Sequence, residues 1–134
     1  MADWKLVRFC PTYAEPIDPE ILSLCDTMNT AGFETTQSCC GHGVDWPRVW
    51  FKHSTDERIE KMARFVKQRE WGNYRPFSTT FQKEILDEGY LWMLEIHLNN
   101  VYCDTPADIG LKEATNALEK VTSAIRDWNT LNEN

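Results

Sequence analysis

The sequence has no apolar run near the roughly 18 residues that a membrane-spanning helix needs. Its first residues, MADWKLVRFCP, carry neither a basic leader nor an apolar signal core. A cytoplasmic protein without a membrane partner is expected. Basic residues are also in deficit, with 14 Lys and Arg against 21 Asp and Glu and a net charge of -7. This argues against bulk nucleic-acid binding, which needs clustered cations. No C-x-x-C spacing occurs, so there is no self-contained zinc knuckle. Five cysteines, an odd number without an export signal, read as reduced thiols rather than a disulfide framework. Internal repeats and low-complexity segments are lacking as well.

What is present is core-forming material. The 134 residues are 42% hydrophobic and include six Trp, six Phe and four Tyr, enough for one packed interior over 1–134 and too few for two. Trp4 to Phe9 alternates loosely and reads as an edge strand. Asp18 before Pro19 is a helix start, a side-chain cap followed by a residue of pre-set φ. Ile21, Leu22, Cys25 and Met28 then share a face, and Gly32 ends the helix. Phe33 to Cys39 and Arg48 to His53 read as paired strands.

Ser54 and Glu57 match a capping box for a second helix with Ile59, Met62, Ala63 and Val66 inward, closed by Trp71, Gly72 and Asn73. Phe77 to Ile85 and Tyr90 to Leu98 form a hairpin around Asp87, Glu88 and Gly89. The nearly apolar YLWMLEIHL should be its central strand, covered on both faces. Thr105, Pro106 and Asp108 open a last helix, with Leu111, Ala114, Leu118, Val121, Ile125 and Trp128 as its stripe. That stripe fits a sheet-packed helix, with a dimer seam as the alternative. The expected fold is α+β: about five mostly antiparallel strands with three helices on one face, in the order strand-helix-strand-strand-helix-strand-strand-helix.

Chemistry concentrates in Thr35 to Gly43, TTQSCCGHG, at the tip between two strands. Zinc takes thiolate and imidazole ligands, so Cys39, Cys40 and His42 are the leading metal candidates. His53, His97 and Cys103 are of second rank. On a strand Cys39 and Cys40 face opposite ways, so only one of them is expected to act. A second reading makes one thiol a nucleophile activated by His42, with Asp45 orienting the ring. A third uses Ser38, Gly41 and Gly43, with Trp46 beside them, as a backbone cradle for a small anionic or amino-acid-like ligand. The bland reading, buried cysteines and a glycine turn, remains open. Trp46, Trp50, Trp71 and Tyr74, with Arg69 and Arg75, suit stacking on a base or a partner side chain, or pinning loops to the core. Glu95 and His97 share one strand face, His97 being a ligand, a base or a satisfied histidine.

Thr35, Thr36, Ser38, Cys39 and Gly41 match the Thr-Thr-Ser-Ser-Cys-Ser-Gly-Arg signature of the wybutosine-synthesis methyltransferases, which this loop resembles over about 25 residues. His42 stands where that family has Arg. The resemblance implies an S-adenosylmethionine cofactor and a transfer-RNA substrate. The loop is also similar to that of small bacterial and phage proteins with a Cys-Cys-x-Gly-His hairpin and no settled activity. The leading expectation is a cytoplasmic zinc- or ligand-binding module of that bacterial or phage kind, with a small molecule or protein as partner. The alternatives are an S-adenosylmethionine-dependent or thiol-dependent enzyme, and an interaction module in which the loop is structural.

Overall fold

A computed structural model describes residues 9–10, 15–16, 18–52, 55–69 and 76–132. Strands β1 (Phe9–Cys10) and β2 (Glu15–Pro16) form a two-residue antiparallel ladder of their own. Helix α1 (Pro19–Thr30) begins at the expected Asp-Pro pair and buries Ile21, Leu24, Cys25 and Met28, with Leu24 in the place expected for Leu22. Gly32, at φ 95°, ends it. The Phe33 N–H reaches Met28 O at 2.9 Å and the Gly32 N–H reaches Asn29 O at 3.1 Å, a Schellman stop that turns the chain directly into a strand.

The main sheet has four antiparallel strands in the order β3-β4-β6-β5: β3 (Glu34–Cys39), β4 (Arg48–Lys52), β5 (Phe77–Leu86) and β6 (Gly89–Leu98). The expectation of five is thereby corrected among the described residues. Phe9 and Cys10 pair with β2 rather than with this sheet, and the rest of the Trp4 to Phe9 stretch lies outside the described residues. The order from α1 onward is helix-strand-strand-helix-strand-strand-helix. YLWMLEIHL is central as expected, but only one of its faces is fully closed. Leu94, Ile96 and Leu98 are buried in the main core, whereas Glu95 and His97 on the other face are half-buried.

Helix α2 (Asp56–Gln68) buries Ile59, Met62 and Val66. Its N-cap is Thr55, without a side-chain cap bond. Ser54 of the expected capping box, and Trp71, Gly72 and Asn73 after the helix, lie outside the described residues, as do Tyr74 and Arg75. Helix α3 (Ala107–Leu131) turns Ala114, Leu118, Val121, Ile125 and Trp128 into the core, against α1, α2 and β6. That stripe is therefore used within the chain rather than as a dimer seam. Phe33 packs edge-on to Phe51 at 5.9 Å, and Trp128 at 5.7 Å completes the aromatic centre. No helix among the described residues is long and apolar enough to cross a membrane.

One β-bulge decides which side chains face which way. Thr35 pairs with Phe51 and Gln37 with Trp50, so Thr36 is the extra residue. Alternation from Phe33 would have sent Gln37 and Cys39 into the core. After the bulge Ser38 and Cys40 are turned inward instead, and Cys39, opposite Arg48, comes to the face that no helix covers.

At the far end of the sheet, the Asp56 carboxylate accepts from Lys83 Nζ at 2.8 Å, Tyr90 OH at 3.1 Å and Trp92 Nε1 at 3.2 Å, tying α2 to the β5–β6 hairpin. These bonds, Lys83 first, hold its carboxyl below the ordinary range of 3.8. A carboxyl with a depressed folded pKa contributes stability above its unfolded value and loses it as pH falls. In urea titrations between pH 6 and about pH 2, the midpoint of the wild-type chain is expected to fall more steeply than that of Asp56→Asn, the two converging at the acid end. Parallel curves would show that the carboxylate is not coupled to folding.

Candidate metal centre

The connection from β3 to β4 is shaped by backbone approach. Gly41, His42 and Gly43 have φ of 84°, 55° and 81°, three left-handed residues in succession. A Cβ on Gly41 would lie 2.0 Å from Asp45 O, and one on Gly43 would lie 2.1 Å from Ala107 O. The loop is thus folded on itself and pressed against the first turn of α3. His42 has no such freedom, since a side-chain-bearing residue in this region is strained. Its ring is presented at the price of that strain.

Asp18 meets the ring from the other direction. The sequence reads Asp18 as a cap for α1, yet its side chain makes no cap bond. Its Oδ2 accepts the Cys40 N–H at 3.0 Å and lies 3.8 Å from His42 Nε2. Asp18 is 8% exposed, Cys39 4% and Cys40 2%, with His42 half-buried. Ligand atoms of Asp18, Cys39 and His42 all lie within 4.8 Å of one another, the one such group among the described residues. A tetrahedral ion with bonds of about 2.0–2.3 Å spaces its donors roughly 3.3–3.8 Å apart. The 4.8 Å limit exceeds that spacing by about 1–1.5 Å, the most by which the group would have to close on an ion.

Both thiol sulfurs accept backbone N–H groups two residues on, Cys39 from Gly41 at 3.4 Å and Cys40 from His42 at 3.3 Å. Such bonds favour thiolate character. For Cys40 burial outweighs this, and the nearby Asp18 carboxylate adds to it, so its thiol is pushed up to about 12. Cys40 is therefore a neutral thiol near pH 7, unlike the activated thiolate that a nucleophile requires.

The remaining candidates are distributed elsewhere. Asp45, expected to orient the His42 ring, instead takes the Arg48 guanidinium at 3.2 Å through both carboxylate oxygens and accepts the Trp46 N–H at 2.7 Å. Asp18 is the acid facing His42. His97 Nε2 lies 2.8 Å from Glu95 Oε1 and 3.2 Å from Thr80 Oγ1, with Trp46 stacked on its ring at 4.2 Å. It does not join the Asp18 group, and neither does Cys103, exposed in the turn before α3. His53 lies outside the described residues. Trp50 donates to Glu84 Oε2 at 3.0 Å, and Arg69 lies over Phe65 at 4.8 Å and pairs with Asp127 at 2.8 Å. In the proposed cradle, the Val44 and Asp45 N–H groups turn to Gly41 O at 3.0 and 2.9 Å, inside the loop.

Ser38 is 1% exposed, and its Oγ has no hydrogen-bond partner among the described residues. An unsatisfied buried hydroxyl costs about 1–3 kcal/mol. Ser38→Ala is expected to raise the unfolding free energy by about 1 kcal/mol in denaturant titration, with metal uptake unchanged. A loss of similar size would mean that the hydroxyl is bonded after all.

Comparison with protein-family models, curated proteins and solved structures gives no match for this chain.

Proposed function

We propose that the chain is a small metal-binding α+β domain, its ion held by Asp18, Cys39 and His42, with zinc the preferred metal. The observation that carries this reading is the convergence of those three ligand atoms within 4.8 Å from two separate parts of the chain. Asp18 sits before α1, while Cys39 and His42 flank the end of β3, so the cluster is a product of the fold. One thiolate, one imidazole and one carboxylate form a donor set suited to a borderline-soft ion. Magnesium and calcium prefer all-oxygen shells, and a sulfur ligand disfavours both.

Three protein donors leave one tetrahedral position for water or a small ligand, as in zinc sites that are not purely structural. The domain then binds a small molecule through the metal, beside the half-buried surface of Arg48, Trp46 and His97. Elemental analysis of the purified protein is expected to find about one zinc per chain, and titration of the stripped protein with Zn²⁺ or Co²⁺ to restore it. Cys39→Ser, His42→Ala and Asp18→Asn should each weaken uptake at least about tenfold. A metal-free protein that takes up neither ion, or one that binds S-adenosylmethionine equally well with all three residues substituted, would overturn the reading.

A further inference from the structure

A chain of polar side chains crosses the helix-free face of the sheet and ends in an imidazole nitrogen without a hydrogen-bond partner among the described residues. Both Asp45 oxygens accept from the Arg48 guanidinium at 3.2 Å, and Arg48 Nε donates to Glu95 Oε2 at 2.6 Å. The other Glu95 oxygen lies 2.8 Å from His97 Nε2, and Thr80 Oγ1 lies 3.2 Å from the same nitrogen. An ionised carboxylate only accepts, so Nε2 carries the ring proton and Nδ1 offers the lone pair. Both bonds to the ring are at Nε2, and His97 has no others among the described residues. The side chain of His97 is 26% exposed and that of Glu95 12%, so the ring meets solvent while the carboxylate behind it is largely enclosed. Trp46, stacked at 4.2 Å and 16° to the ring, holds its plane.

We propose that His97 is the general base of a second site, which activates water against uncharged acyl esters, with Glu95, Arg48 and Trp46 as positioning residues. A proton acceptor needs a fixed tautomer and a fixed direction. Glu95 sets the first, and Trp46 and Thr80 set the second. The carboxylate–imidazole pairing is that of hydrolytic triads with the two ring nitrogens exchanged. No hydroxyl or thiol of the described residues is bonded to Nδ1, so the attacking group is water. Nδ1 takes a proton from the water as its oxygen bonds to the acyl carbon. The bond from that carbon to the leaving oxygen then breaks, and the proton on Nδ1 passes to the departing alcohol or phenol. One water is consumed, one acid and one alcohol are released, and the ring returns to its Nε2–H form. Arg48, the cation of this cluster, is matched by two carboxylates and is not left over for an anionic substrate. The Trp46 indole supplies an apolar flank for an acyl or aryl group. Neither Glu95 nor His97 belongs to the three-ligand group, so the proposal stands apart from the metal-binding reading.

Two measurements test this. The first uses 4-nitrophenyl acetate as the probe and follows release of 4-nitrophenolate. The purified protein should hydrolyse it at least about tenfold faster than free imidazole at the same concentration, equally with and without chelator. His97→Gln, whose amide N–H can still donate to Glu95, should lose that excess with the fold intact by circular dichroism. Glu95→Gln keeps an oxygen for the Nε2–H but not the charge, and should slow the reaction about tenfold or more. A rate no greater than that of imidazole, or one that survives His97→Gln, overturns the proposal. A rate abolished by chelator assigns the hydrolysis to a metal and overturns it as well. The second measurement needs no substrate. Ring-nitrogen chemical shifts of His97, at a pH where the imidazole is neutral, should report Nε2–H in the wild type and a mixture of tautomers in Glu95→Ala. A wild-type Nδ1–H ring, or a ring that Glu95→Ala leaves unchanged, overturns the proposal whatever the rates.

Discussion

Gly110→Ala is expected to destabilise the protein by about 1–3 kcal/mol and to weaken zinc uptake, although the same change in an isolated helix stabilises it by about 1 kcal/mol. Gly110 lies in the first turn of α3, where alanine is the better helix former. The Cβ of an alanine there would stand 2.0 Å from the carbonyl oxygen of Gly43. That oxygen is backbone, held in a loop already folded onto Ala107, so it cannot swing aside as a flexible side chain would. Relieving the clash means lifting the loop off α3, and His42 is the residue next to Gly43. Overpacking therefore wins over propensity, and the stability loss and the loss of metal affinity should appear together. Urea denaturation with a parallel zinc titration checks this. A Gly110→Ala protein as stable as wild type and still binding zinc would show that the loop moves freely and that its contact with α3 does not hold the site.

The periodic elements were legible in the sequence because they are local. Ala114, Leu118, Val121, Ile125 and Trp128 recur at helical spacing and are buried together. Asp-Pro opened α1 and Gly32 closed it, since a pre-set φ and a left-handed stop act within a few residues. The Glu95–His97 pair was likewise visible from a spacing of two on one strand, and the ring and carboxylate meet at 2.8 Å.

The candidate metal centre was legible only in part. Cys39 and His42 stand out as residue types, but Asp18 lies 22 residues before Cys40, whose N–H it binds, and a residue at a helix start has an obvious local use. Its carboxylate is diverted because the loop brings a buried N–H and an imidazole to it, which no local pattern records. Asp45 was the natural guess for orienting the ring on proximity, yet Arg48 three residues on claims it through a paired guanidinium contact. The bulge at Thr36 is similarly silent in sequence, although it sets the faces of Ser38, Cys39 and Cys40.

Zinc is expected to raise the melting temperature of the wild-type protein by roughly 10 °C when free zinc exceeds its dissociation constant about 100-fold. At that excess a ligand that binds only the folded chain adds about 2.7 kcal/mol, large beside a domain stability of about 5–15 kcal/mol. Asp18→Asn is the variant that isolates the effect. The amide keeps an oxygen to accept the Cys40 N–H, so the junction between the start of α1 and the loop survives in the metal-free state. It removes the negative charge and one good ligand, so the zinc increment should shrink to a small fraction of the wild-type value. Cys39→Ser should do the same, because a hydroxyl is a poor substitute for a thiolate at zinc. Matched melting curves with chelator and with zinc separate the two contributions. Equal zinc increments in wild type and Asp18→Asn would place any bound metal away from this cluster. A chelator-sensitive wild type beside two insensitive variants is the pattern that a centre shared between the start of α1 and the end of β3 requires.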